Sequence, residues 1–157
     1  MFRSSVLVLA ILSASAAARA ISPATGGPMD EREALDRVRT ARSFDIASGG
    51  KAGQTTPQER AFLRVLNGPQ PTAKFEMLAA KGTLAGRMYA LLGLKYTAPQ
   101  VFAQKLPAFL RSWRKVPVAV GPKKTKTVWA KTIAAQIRDR DDVPYLESLG
   151  WTGSAGT

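Results

Sequence analysis

Apolar residues recur at helical spacing through most of the chain, and the recurrence is densest between Pro71 and Leu94. Phe75, Leu78 and Ala79 line one short helix, and Leu84, Met88, Leu91 and Leu92 line the next at i, i+4, i+7 and i+8. Lys81-Gly82-Thr83 separates the two. Gly82 suits a left-handed end to the first helix, Thr83 suits a cap for the second, and Gly93 suits its termination. The spacing predicts an antiparallel helix pair. Gly86, Ala90 and Gly93 fall at i, i+4 and i+7 as a seam of small residues. An interior glycine costs about 1 kcal/mol relative to alanine, so the seam predicts a close neighbour.

The same reading extends both ways. Asp30 to Phe44 has acids at its start (Asp30, Glu31, Glu33), arginines at its end (Arg37, Arg39, Arg42) and an apolar face of Ala34, Leu35, Val38 and Ala41, which predicts a helix. Thr56-Pro57-Gln58-Glu59 is a capping box with proline at the first helical position, opening a helix to about Asn67 with Phe62, Leu63 and Leu66 inward. Thr97 is placed to cap a helix whose inner face is Val101, Phe102, Leu106, Phe109, Leu110 and Trp113, kinked or divided at Pro107. The run 116–120 is apolar and extended, but Pro117 limits it to one short edge strand or a buried connector. Gly121 to Lys126 reads as a basic turn. Thr127 then caps a long helix with Trp129, Ile133 and Ile137 inward, and a short helix around Pro144 to Leu149 follows a break at Asp141-Asp142. These elements make a mostly α-helical single domain over 29–149, with five to seven helices and a frayed tail at 150–157.

The first twenty residues follow a different logic. Arg3, the apolar run Val6 to Leu12 and Ala18-Arg19-Ala20 occur in the order of a secretory signal peptide, predicting export and a mature chain from Ile21. In a bacterial source the product is expected in the periplasm or outside the cell. Residues 21–28 (ISPATGGP) read as a flexible linker, and no later run is long and apolar enough for a transmembrane span.

Charge narrows the partners. The chain carries 23 Lys and Arg against 11 Asp and Glu, a net +12, and removal of Arg3 and Arg19 with the leader leaves +10. That surplus favours anionic surfaces. The absence of any histidine or cysteine excludes Ser-His-Asp, Cys-His, zinc-finger, haem-His and CxxC arrangements. Neither a cofactor nor a metal is expected.

Four features were weighed as sites. Gly50-Lys51 fails as a phosphate loop, with Asp45 where the first glycine belongs and Ala52 where Ser or Thr belongs. Asp139, Asp141, Asp142 and Glu147 are the one acidic cluster, but Pro144 and Gly150 stand where a calcium loop needs Gly and Glu; Asp142 is expected to cap the last helix instead. Glu76 lies between Lys74 and Lys81 with no second acid near it, as expected of a solvated face. Lys123, Lys124, Lys126 and Lys131 surround Trp129, while Arg111, Arg114 and Lys115 surround Trp113. Basic residues interleaved with aromatics suit phosphate chains and stacked rings, so Lys123, Lys124, Lys126, Lys131, Arg114 and Lys115 are the candidate anion contacts. Both tryptophans fall on apolar helix faces and are expected in the core.

Gly82 to Leu94, GTLAGRMYALLGL, resembles the second helix of a HEAT-type repeat, and Asp142 to Leu149 resembles the start of such a repeat's first helix. The run AGRMYALLGL is also similar to one in small exported bacterial proteins. The resemblance implies a helix-pair scaffold with a protein-binding role and supplies no catalytic residues. The sequence therefore points to a non-enzymatic exported protein that binds another protein or an envelope component. A second reading is a cationic module contacting nucleic acid or acidic polysaccharide through Lys123 to Lys131. A carboxylate-based hydrolase comes last.

Overall fold

The computed structural model describes residues 29–45, 55–121 and 124–153. The expected leader and linker, the Gly50-Lys51 loop and Lys123 lie outside them. Within them the chain runs α1 (Glu31–Arg39), α2 (Pro57–Leu66), α3 (Pro71–Lys81), α4 (Leu84–Thr97), α5 (Pro99–Leu110), β1 (Lys115–Gly121), β2 (Lys124–Trp129), α6 (Ala130–Asp139) and α7 (Val143–Ser148). The domain is mostly helical with one small antiparallel sheet.

Helix α4 is the hub. It touches α1, α2, α3, α5, α6 and β1. From Ala85 to Leu94 every residue except Arg87 is buried, so this helix is apolar nearly all round, as a central helix must be. Thr83 caps it, its Oγ1 accepting from Gly86 N at 3.0 Å. The same hydroxyl donates to Ala41 O at 2.6 Å, and Thr83 N donates to Arg39 O at 2.9 Å, which docks the start of α4 on the end of α1. The seam has the close neighbours it requires. A Cβ on Gly86 would stand 2.6 Å from Val38 O, and one on Gly93 would stand 2.5 Å from the Phe75 ring. The first contact is with α1 rather than α3, so one helix serves two neighbours. Thr72 Oγ1 donates to Thr97 O at 3.2 Å and closes the far end of the antiparallel α3–α4 pair.

Two glycines act differently from expectation. Gly82 is extended (φ −75°, ψ 163°) rather than left-handed, and its need for no side chain comes from Leu78 O, 2.7 Å from where a Cβ would stand. Gly93 does not end α4, which continues to Thr97, so Thr97 closes this helix instead of capping the next. Its hydroxyl bonds back to Gly93 O at 3.0 Å, and the break falls at Ala98-Pro99, where proline supplies the first residue of α5. Pro107 is tolerated inside α5, which runs as one helix to Leu110.

The capping box of α2 forms in full: Glu59 N donates to Thr56 Oγ1 at 3.1 Å and Thr56 N to Glu59 Oε2 at 2.7 Å. Glu59 is also buried, and Tyr145 Oη donates to its Oε1 at 2.5 Å, tying α7 to α2. Helix α1 stops at Arg39, short of the expected Phe44. Phe44 leaves the helix to bridge β1, its N donating to Pro117 O at 2.9 Å, and its ring packs 4.9 Å from Tyr89. Trp151 was assigned to the tail, yet it packs 5.2 Å from Tyr96, and Asn67 Nδ2 donates to Gly150 O at 3.0 Å.

The main correction concerns 115–129. Where one edge strand, a basic turn and a helix from Thr127 were expected, β1 and β2 form a hairpin and α6 begins only at Ala130. Four of the six residues from Lys124 to Trp129 are β-branched or aromatic (Thr125, Thr127, Val128 and Trp129), which favours a ladder with 115–119 over further helical residues.

Candidate anion-binding surface

The hairpin hangs from two junctions that lie side by side. Ala130 N donates to Arg114 O at 2.8 Å, joining the residue before β1 to the first residue of α6. Trp113 immediately precedes the first partner and Trp129 the second. Because α5 ends at Leu110 and α6 starts at Ala130, neither tryptophan belongs to the helix whose apolar face it was expected to extend. Both therefore come to the surface: Trp113 is 70% exposed and Trp129 39%. Their rings meet edge to face, 6.0 Å apart and at 79°.

Each ring carries a cation. Lys115, paired with Trp129 across the hairpin, places Nζ 4.7 Å from its ring centre, and Lys131 places Nζ 3.1 Å from that of Trp113. Such contacts at exposed sites are worth roughly 0.5–1 kcal/mol, enough to orient the ammonium groups beside the indoles.

The six predicted contacts do not form one patch. Lys115 and Lys131 lie at the tryptophans. Lys126 lines a groove of about 500 Å³ on the other side of the hairpin, with Val118, Val128 and Ile133, and strand alternation puts Lys124 on that same side. Arg114 lines a third region, a groove of about 460 Å³ beside α5. Lys123 lies outside the described residues.

The acidic candidates resolve into local pairs. Arg138 Nε donates to Asp139 Oδ1 at 2.6 Å, a bond that holds the carboxyl below its usual range. Arg140 lies 3.0 Å from Asp142, and Val143 N donates to Asp141 Oδ1 at 3.1 Å. Asp142 stands at the cap position of α7, but its side chain makes no capping bond there. No group of three or more potential metal ligands gathers among the described residues. Glu76 is exposed on α3.

One sequence signal marks this surface: no Asp or Glu occurs between Glu76 and Asp139. Everything from α4 through the hairpin to nearly the end of α6 is thus free of acids, while Lys and Arg recur throughout. Local motifs do not reveal this because the run spans several elements.

No family model, no curated protein and no solved structure matches the chain.

Proposed function

We propose that this is an exported, non-enzymatic protein that binds an acidic polysaccharide of the cell envelope through the Trp113–Trp129 face. The observation that carries the reading is the pair of exposed indoles, each with a lysine ammonium at its ring and no acid in the surrounding sequence. Indole faces stack on sugar rings or bases, while ammonium groups meet carboxylates, sulfates or phosphates. A bare lysine surface would attract anions without orienting them. A bare tryptophan pair would favour an uncharged apolar partner. Their combination favours a chain that alternates rings and negative charges. The N-terminal export signal favours an envelope glycan over nucleic acid.

The test is titration of the protein starting at Ile21 against heparin and single-stranded DNA over a range of salt. We expect heparin binding whose log K falls linearly with log salt, and Trp113→Ala should weaken it without a change in circular dichroism. Tighter binding to DNA than to heparin would transfer the site to nucleic acid. Absence of binding to both at low salt would remove the reading altogether.

A further inference from the structure

A second cationic site lies in the groove between the α3–α4 turn and α5, which reaches the flanks of Trp113 at Ser112 and Arg114. Its volume is about 460 Å³, within the usual range of roughly 300–1,000 Å³ for small-molecule pockets. Arg87, Lys105 and Arg114 line it, and no carboxylate does. Its apolar part is made by Leu84 and Phe109.

The three charges are not cancelled from within. Arg87 Nε donates to Gly82 O at 3.0 Å and Nη2 to Ala80 O at 3.2 Å. Both acceptors are neutral carbonyls at the end of α3. They fix the guanidinium plane and, as carbonyls at a helix end, offset part of its charge, but no carboxylate of the groove neutralises it. Neither Lys105 nor Arg114 forms an ion pair among the described residues. Like charges gathered in a concave wall repel one another and raise the local concentration of anions. A pre-fixed guanidinium is suited to a planar carboxylate or a phosphate, and it loses little freedom on binding. The groove beside the hairpin differs in this respect, since Asp142 and Arg140 pair within its lining.

We propose that this groove binds an amphiphilic organic anion, its phosphate or carboxylate held among Arg87, Lys105 and Arg114 and its acyl or aryl body laid on Leu84 and Phe109. The ligand is either a free metabolite or the headgroup end of an anionic lipid, which share this chemistry. The site borders the tryptophan face at Arg114, and Lys105, which no contact among the described residues links to the tryptophans, separates the two in the test.

The experiment is calorimetric titration with octyl phosphate below its micellar concentration, alongside inorganic phosphate and octyl glucoside. Octyl phosphate should bind at least tenfold more tightly than either control. Lys105→Gln with Arg114→Gln should weaken it at least tenfold while heparin affinity of a Lys105→Gln single variant stays unchanged; Arg87 is left intact because it also holds the end of α3. Amide shifts in nuclear magnetic resonance should centre on Leu84, Lys105 and Phe109. Equal affinity for inorganic phosphate, insensitivity to the double variant, or no binding would each overturn the proposal. Phosphatidylglycerol vesicles that bind in a Lys105-dependent way identify a lipid source, whereas binding of the monomer alone identifies a soluble ligand; both support the site.

Discussion

The large apolar side chains of helix α4 and the two tryptophans at the base of the β1–β2 hairpin meet opposite fates. In α4 each large side chain stays on one continuous helix, so its neighbours in space follow from its spacing in sequence. Around the hairpin the two tryptophans sit just past one helix end and just before another. There a shift of two or three residues in the boundary turns a core side chain into a surface one. Burial is thus dictated by periodicity inside elements and by termini between them. The exposed tryptophans of this molecule lie at the termini.

The contrast can be broken from the core side first. Phe75→Ala removes a fully buried ring pressed against Gly93 and 5.6 Å from Phe62, and should cost roughly 3–5 kcal/mol in denaturant melts. Gly86→Leu pushes a side chain onto the backbone carbonyls of Val38 and Arg39, which cannot rotate away, and should cost on the order of 1–3 kcal/mol. Unchanged stability in that variant would mean that α1 and α4 do not touch there.

A milder probe of the same region is alkali. Burial chiefly, with the Asp142 and Asp141 charges adding to it, pushes the Tyr96 hydroxyl up to about 12, and burial raises Tyr89 well above its ordinary value of 10.0. An unfolded tyrosine loses its proton near pH 10, before the folded one does. The stabilisation is therefore complete below about pH 10 and is lost as pH rises towards 12. Melts across this range should show that fall, and Tyr96→Phe should make it shallower. A stability flat to pH 12 would contradict the burial of both phenols.

The hairpin side should respond in the opposite sense. Trp113→Ala should cost only about 1–2 kcal/mol in stability, since the Trp129 and Lys131 contacts of an exposed ring are what it removes. Its heparin affinity should fall by roughly 1–3 kcal/mol, the scale of one stacked ring. The smallest difference sharpens the face assignment. Replacing Lys115 and Lys131 by Gln should reduce the salt slope by up to about two, whereas replacing Lys124 and Lys126 should reduce it less. Equal effects would show that both faces of the hairpin meet the polymer.

The helical part was legible in the sequence for physical reasons. Thr56 and Glu59 form their reciprocal bonds and Thr83 caps α4 because caps act through residues a few positions apart. The spacing of small residues in α4 announces that Gly86 needs a close neighbour without naming α1 as that neighbour. The hairpin was not. Pro117 argues against a paired strand, yet β1 accommodates it, pairing with β2 on one side and, among the described residues, bridged by Phe44 on the other. Thr127 reads as a helix cap by type, but in β2 it faces Pro117 across the sheet. The candidate lysines were nearby in sequence and are divided by strand alternation in space. Their grouping with Trp113 depends on a contact between residues 114 and 130, which no local pattern announces.

Strand β2 also has a consequence for colloidal behaviour. It is the last strand of a two-stranded sheet, so among the described residues its outer edge has no strand beside it. An open row of amide and carbonyl groups is a template onto which another chain can add, and charged residues, lysine above all, are what keep such edges from sticking. Lys124 and Lys126 stand on this strand, both exposed. Their repulsion between copies guards the edge whatever else they bind. Neutralising them should lower the concentration at which copies begin to associate, and it should do so most in low salt, because high salt already screens the repulsion the lysines supply.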